Sequence, residues 1–157
     1  DDRVGVALVI SALRNLQTEN HPNTIYGAAT VMEEVGIRGA ATCVDIIDPD
    51  VAIILEADIA GDVPGVRPDE SAVKLGAGPT ILLYDARMIP NLKLRNLVMD
   101  LAVELGISLQ PSAIEGGAAD GGIIHLHNAG GPPLDRNGKP FPVSAPQPHL
   151  SRPRQQK

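Results

Sequence analysis

The chain has 157 residues, of which 43% are hydrophobic and 20% are charged, as in a soluble globular domain. Its formal charge of −6 argues against a surface that binds nucleic acid or an anionic membrane. The single cysteine, Cys43, excludes a disulfide scaffold and a cysteine-rich metal site. No apolar run approaches the ~20 residues that span a membrane, and no signal peptide is visible, so we expect a cytoplasmic protein.

The hydrophobic pattern alternates between helical and strand-like segments along the chain. In order, it predicts a helix over 3–16, a strand over 24–32, a short helix over 36–47 and a buried strand over 51–55. A loop over 61–78 is followed by a strand over 80–84, a helix over 92–105, a strand over 107–114 and a short helix over 121–129. Such alternation predicts an α/β fold in which helices cover both faces of a mostly parallel sheet.

The last 27 residues differ in kind from the rest. They hold seven of the 14 prolines and five Lys or Arg against one acid, so residues 131–157 carry +4 and residues 1–130 carry −10. They show no apolar periodicity. We interpret 131–157 as a proline-rich, basic tail that is disordered or frameshifted, and 1–130 as part of one domain. Because the chain begins Asp1-Asp2-Arg3 without Met, we expect it to be a piece of a longer protein.

Carboxylates stand at the ends of two predicted strands and ahead of the first helix. Glu33-Glu34 end one strand, Glu56 follows another, and Asp1-Asp2 precede the helix. Neighbouring strand tips in a parallel sheet lie ~5 Å apart at one edge, so these acids could converge there. Each pair also has an ordinary explanation: Asp1-Asp2 as helix caps, and Glu33-Glu34 as solvated charges ahead of the next helix.

Converging carboxylates without an excess of Lys or Arg favour bound cations. Oxygen-rich sites with some nitrogen suit Zn, Mn or Co, and a carboxylate left off the metals can act as general base on a water. A glycosidase acid–base pair is the rival interpretation. Glu33 and Glu34 point to opposite sides of an extended segment, but Glu33 with Glu56 could span the ~5–9.5 Å that such a pair needs.

From residue 1 to about residue 130 the sequence closely resembles the dinuclear-metal aminopeptidases that include the glutamyl, deblocking and tetrahedral dodecameric aminopeptidases, some of whose relatives carry the label endoglucanase. The matching motifs are Asp1-Asp2-Arg3-Val4-Gly5, residues 21–27, 30–39, 60–65 and 74–79, and the glycine-rich loop that ends at Asp120. The resemblance implies a three-layer α/β/α, zinc-peptidase-like fold with a mostly parallel mixed sheet. Residues 1–130 would then be the C-terminal part of an incomplete catalytic domain.

The same resemblance implies roles for the acids. Glu33 would be the general base that takes a proton from the attacking water. Two divalent metal ions, Zn or Co with Mn as a further candidate, would have as ligands Asp1, Glu34 and Glu56. Residues that orient these groups or line the substrate loop would be Asp2, Asp62 and Asp120. The implied activity is hydrolysis of peptides from the N-terminus, and full-length relatives are homo-oligomers.

The sequence also departs from the family pattern. The family's upstream histidine ligand would precede Asp1, and the downstream one would lie where the tail begins. Neither His125 nor His127 matches these ligands, and packing or exposure is the better interpretation of both. The small β-subdomain used for oligomer assembly also lies upstream of Asp1. Two alternatives therefore stay open beside the aminopeptidase: an inactive fragment or interaction module, and carbohydrate hydrolysis.

Overall fold

The computed structural model describes residues 2–67 and 69–127. Asp1 and the tail over 131–157 lie outside the described residues. The elements, in chain order, are α1 (Arg3–Leu16), α2 (Arg38–Ile47), β1 (Thr80–Asp85), α3 (Leu92–Glu104), β2 (Gln110–Ile114) and α4 (Gly121–Ile124). In this part of the chain, no helix is both long and apolar enough to cross a membrane.

β1, α3 and β2 form a parallel strand–helix–strand unit. Thr80 pairs with Gln110 at the start of the two strands and Asp85 pairs with Ile114 at their end, with an irregularity between Leu82 and Tyr84. Helix α3 is the crossover that parallel strands require. Its start is fixed by Asn91, whose side chain accepts hydrogen bonds from the amides of the second and third helical residues. Both strands therefore end at the same edge, with Asp85 at one tip.

The first two helices begin in different ways. Asp2 is the N-cap of α1, and its Oδ1 accepts a hydrogen bond of 2.9 Å from the Gly5 amide. Helix α2 has no side-chain cap; the residue before it, Ile37, has a left-handed backbone with φ of 57°. The cap interpretation of Asp2 is thus confirmed, and α2 begins two residues after the predicted start.

The described residues have a small core, and half of its six buried hydrophobic residues lie at α2. Ile37, Ala40 and Val44 are buried on one side of it, and α2 packs against α4. Gly39 lies directly against the preceding segment: its amide donates to the Val31 carbonyl at 2.9 Å, and an added Cβ would lie 2.3 Å from that oxygen. Glycine at this position lets α2 contact the segment that leads into Glu33-Glu34.

Two strand predictions are wrong for the described residues. Segments 24–32 and 51–55 belong to neither helix nor strand, and the described sheet has two strands, β1 and β2. Residues 24–30 and 51–58 form no backbone–backbone hydrogen bonds with other described residues. A strand is defined by such a ladder, which an apolar run alone cannot supply. Burial nevertheless alternates along 51–55, with Ala52 and Ile54 on the more buried side.

Candidate functional site

An open cleft of about 330 Å³ lies between two parts of the fold. One wall holds Glu33 and Glu34 with Ile37. The other wall is formed by Ala86 and Arg87, which follow β1, and by residues 116–118 of the glycine-rich loop that follows β2. The cleft thus lies beyond the carboxyl ends of the parallel strands, where open α/β sheets place their ligands.

A tight turn presents Glu33 and Glu34 to this cleft. The Glu33 carbonyl accepts hydrogen bonds from the amides of Gly36 and Ile37, at 3.1 and 2.9 Å. Met32 just before the turn has a left-handed backbone with φ of 56°, so the chain changes direction at that residue. The turn leads directly into α2, which is held by the Gly39–Val31 contact. The position of both glutamates therefore depends on the packing at the start of α2.

The pKa of Glu33 is affected by its burial and by several neighbouring acids. Partial burial raises the pKa of its carboxyl, and the negative charges of Glu34, Glu56 and Asp120 raise that pKa further. These acids come from three separate stretches of the chain. No positive group offsets them at Glu33, although Arg87 lines the same cleft. The described part of the cleft therefore carries an excess of negative charge.

The N-terminus of α1 lies close to the segment that ends in Glu56. An added Cβ on Gly5 would lie 2.2 Å from the Asp2 carboxylate and 3.0 Å from the Leu55 carbonyl oxygen. Asp2 and Leu55 therefore share the space that a side chain at position 5 would fill. Glu56, the next residue, is exposed, and its Oε1 accepts a hydrogen bond from the Ala57 amide.

Asp120 links the glycine-rich loop to the segment that precedes Glu33. Its Oδ2 accepts a hydrogen bond from the Thr30 hydroxyl, and its Oδ1 is buried without a partner among the described residues. The neighbouring amide, Ala119 N–H, donates to Asp85 Oδ2 at 3.3 Å. Two contacts thus fix the end of the loop, one with the segment before Glu33 and one with the end of β1.

Asp62, His125 and His127 each contact neighbouring parts of the fold outside the cleft. Asp62 is exposed, and its Oδ1 accepts a hydrogen bond from the Leu75 amide at 3.1 Å. His125 places Nδ1 2.8 Å from the Gly121 carbonyl, within its own helical turn. His127 lies between two carboxylates near the end of α2, at 3.3 Å from each, Asp45 and Asp48. Neither histidine lines the cleft.

The oxygen donors of the site match a divalent metal ion in chemistry. Carboxylate oxygens, excess negative charge around Glu33 and the unpartnered Asp120 Oδ1 all suit a cation. Within residues 2–67 and 69–127, however, no three His, Cys, Asp or Glu side chains lie in positions that could hold a metal ion together. The described donors therefore fit such an ion in chemistry without forming a complete set of ligands, and the predicted ligand Asp1 lies outside the described residues.

Three residues of the site were missed by sequence reasoning: Thr30, Asp85 and Arg87. Asp85 directly follows the apolar run of β1, as Glu33 and Glu56 follow theirs, so the signal that selected those glutamates also applies to it. Thr30 and Arg87 carry no comparable signal. Their contribution depends on contacts between segments far apart in the chain.

Comparison with protein families gives a match over most of the chain. The family described as M42 glutamyl aminopeptidase matches residues 1–134. The putative aminopeptidase FrvX of Escherichia coli K12 is 42% identical over 133 residues, which are 84% of this chain and 36% of that protein. The glutamyl aminopeptidase of Lactococcus lactis is 32% identical over 134 residues, again 84% and 36% of the two chains. The chain therefore spans a little over a third of the length of these relatives.

Solved structures show the same relationship. A TET aminopeptidase from a marine sediment archaeon of the Thaumarchaeota matches with a TM-score of 0.76 and 47% identity, covering 89% of this chain and 37% of that one. An aminopeptidase from Desulfurococcus kamchatkensis matches with a TM-score of 0.73 and 39% identity, covering 81% and 36%. The fold is thus the α/β fold of these aminopeptidases, present here as a partial domain.

Proposed function

Because the chain belongs to the M42 glutamyl aminopeptidase family, we propose that it carries the acidic half of the active site of a metal-dependent aminopeptidase. Such an enzyme is a hydrolase that removes residues from the N-terminus of a peptide. The observation that carries the proposal is that the charges of Glu34, Glu56 and Asp120 all act on Glu33, which lines, together with Glu34, a cleft beyond the strand ends.

Glu33 is the proposed general base. A carboxylate with a raised pKa is a better proton acceptor at neutral pH than an ordinary surface carboxylate, because catalytic efficiency rises as the pKa approaches the operating pH. Glu33 would remove a proton from the attacking water and later deliver it to the nitrogen of the leaving amine. The open cleft gives a peptide access to this carboxylate.

Glu34 and Glu56, together with Asp1, are the proposed metal ligands. Zn, Co or Mn suits such oxygen donors, and in the intact family site two ions are expected. A bound divalent ion would polarise the scissile carbonyl and make water more acidic. In this chain Glu34 would hold its ion beside the base, while Asp120 would contact the substrate side of the cleft and Asp2 would keep α1 against residue 55.

Peptide is the proposed substrate, and assembly into a homo-oligomer is proposed for the whole protein. The assembly is supported by a third solved structure, a dodecamer named PhTET1-12s, which has 30% identity and a TM-score of 0.55 to this chain. The cytoplasmic location stays a prediction from the sequence. Family membership favours peptide hydrolysis over the glycosidase alternative.

The non-catalytic alternative has one observation in its favour, the incomplete ligand set of the described residues. An aminoacyl-p-nitroanilide assay of the full 157-residue chain with added Co²⁺ or Zn²⁺ separates the two. If the proposal is right, turnover is metal-dependent and falls by about 10²–10⁴-fold in Glu33→Gln. The exposed Glu19→Gln is the matched control and should keep full activity. Absence of turnover with every metal would support the inactive fragment.

A further inference from the structure

Asp85 is a buried carboxylate at the tip of β1. Asp85 is 6% exposed, and among the described residues the buried polar ones are Asp85 and Ser112. Buried charge is costly unless hydrogen bonds compensate it. Asp85 Oδ1 accepts hydrogen bonds from the amides of Arg87 and Met88, both at 2.7 Å, and Oδ2 accepts one from the Ala119 amide at 3.3 Å. The carboxylate thus uses each oxygen for a different segment.

The first of these segments is the turn after β1. The Asp85 amide donates to the Met88 carbonyl at 2.9 Å, so residues 85–88 close on themselves. The outer side of this turn packs on the start of α4. An added Cβ on Gly121 would lie 2.7 Å from Met88 Cε, and one on Gly122 would lie 2.9 Å from Arg87 Cβ. The turn that Asp85 holds is therefore a support for α4 and for the loop before it.

The second segment is the glycine-rich loop itself. Asp85 Oδ2 accepts a hydrogen bond from the Ala119 amide. The amide of Ala86, the residue after Asp85, donates to the Gly117 carbonyl at 3.0 Å. These contacts hold residues 117–119 against the end of β1, and residues 116–118 line the same cleft as Glu33. The residue after Ala119 is Asp120, whose charge acts on Glu33.

We propose that Asp85 is a positioning residue of the active site: its carboxylate holds the glycine-rich loop, so that Gly117 and Ala118 keep their place in the cleft that Glu33 also lines, and Asp120 keeps its contact with Thr30. The catalytic part of this assignment rests on the proposed function. Its structural part, the contact of Asp85 and Ala86 with residues 117–119, is independent of turnover. A carboxylate is required at this position because both oxygens must accept hydrogen bonds, which no neutral isostere allows.

Asp85→Asn tests this requirement in the full-length chain. Asparagine keeps one acceptor for the amides of Arg87 and Met88, but its NH₂ group would face the Ala119 amide, donor against donor. We expect the exchange of the Ala119 amide with solvent, followed by NMR, to become about tenfold faster, the equivalent of one lost hydrogen bond. The amides of Arg87 and Met88 should keep their protection. Ser112→Ala, which alters the other buried polar residue on the adjoining strand, is the matched control.

A second measurement reads the position of the loop. Mn²⁺ alone, added to the chain, should broaden the amide signals of residues 118–121 through its paramagnetism when it binds near Glu34. In Asp85→Asn this broadening should weaken at the loop and persist at Ile37, while Ser112→Ala should match the unmodified chain. With added Co²⁺, kcat for an aminoacyl-p-nitroanilide should fall about tenfold or more in Asp85→Asn, and KM should change little.

Unchanged exchange at Ala119 in Asp85→Asn would overturn the proposal. Equal acceleration across all core amides in both variants would overturn it as well, because it would show general destabilisation and no specific hold on the loop. If the unmodified chain lacks turnover with every metal, the proposed function fails. Selective exchange at Ala119 and the loss of loop broadening would still support the positioning role of Asp85.

Discussion

The hydroxyl of Thr30 donates a hydrogen bond to the carboxylate of Asp120, 90 residues further along the chain. This contact joins the apolar segment before Glu33 to the end of the glycine-rich loop. Because the other oxygen of Asp120 is buried without a partner among the described residues, Thr30 supplies the donor that compensates this carboxylate. The segment before Glu33 and the end of the glycine-rich loop are thus connected directly, and the connection can be removed by one substitution.

Thr30→Val should destabilise the protein. Valine keeps the shape of threonine but removes the donor, which leaves a partly buried carboxylate uncompensated. We expect the free energy of unfolding, measured by urea denaturation, to fall by about 1–3 kcal/mol. Thr18→Val removes an exposed hydroxyl that donates to the Asn15 carbonyl. This variant should change the free energy of unfolding by less than about 0.5 kcal/mol. Equal losses in the two variants would contradict a special role for the Thr30–Asp120 contact.

Gly39→Ala should also destabilise the protein, although alanine is a better helix former than glycine. An added Cβ would lie 2.3 Å from the carbonyl oxygen and 2.5 Å from the amide nitrogen of Val31, and backbone atoms cannot move aside as a flexible side chain can. We expect a loss of about 1–3 kcal/mol in the free energy of unfolding. Gly116→Ala is the matched control, because nothing lies within 4 Å of its added Cβ, and it should be neutral or slightly stabilising.

Glu33→Gln should raise the thermal stability at neutral pH. The pKa of Glu33 is raised in the folded protein above its ordinary value of 4.5, so folding disfavours its ionised form. The unmodified chain therefore loses stability relative to Glu33→Gln as the pH rises through 4.5, and the difference is constant above the folded pKa. Melting temperatures of both proteins between pH 4 and pH 7.5 measure this. A difference that shrinks as the pH rises would contradict the raised pKa.

Divalent metal ions should stabilise the chain through Glu34 and Glu56. Binding to the folded state alone adds about 2.7 kcal/mol at a free concentration of 100 times Kd, which a thermal melt with added Zn²⁺ or Mn²⁺ detects. Glu34→Gln should remove most of this gain. Glu104→Gln, an exposed substitution at the end of α3, should retain it. Identical metal responses of the two variants would place the ion elsewhere.

Much of the fold follows from local sequence signals. The helices over Arg3–Leu16 and Leu92–Glu104 were predictable within a residue because Asp2 and Asn91 cap them and their apolar residues recur at helical spacing. The strand over Thr80–Asp85 was likewise visible as a short apolar run, whereas the strand over Gln110–Ile114 begins three residues after its predicted start at 107. Segments 24–32 and 51–55 have the same apolar character, but their classification depends on a hydrogen-bonded neighbour that local pattern cannot specify.

Only part of the candidate site could be predicted from the sequence. An acid after an apolar run selected Glu33 and Glu56 from the sequence; Glu33 lines the cleft beyond the ends of β1 and β2, although the runs before the two glutamates are not strands. Asp85 also follows an apolar run, but it was not predicted as a site residue. The Thr30–Asp120 and Asp85–Ala119 contacts join segments whose relative register is set by tertiary packing, so neither has a local signature.

The segment before Glu56 has a consequence for the behaviour of the chain in solution. Val51, Ile53 and Leu55 are 62%, 70% and 41% exposed, and the backbone beside them has no ladder partner among the described residues. A row of alternating apolar side chains on an unpaired extended backbone is a template for edge-to-edge pairing between molecules. We expect the isolated chain to aggregate as its concentration rises. A lysine replacing Ile53 should improve its solubility, because a charge on an exposed edge discourages such pairing.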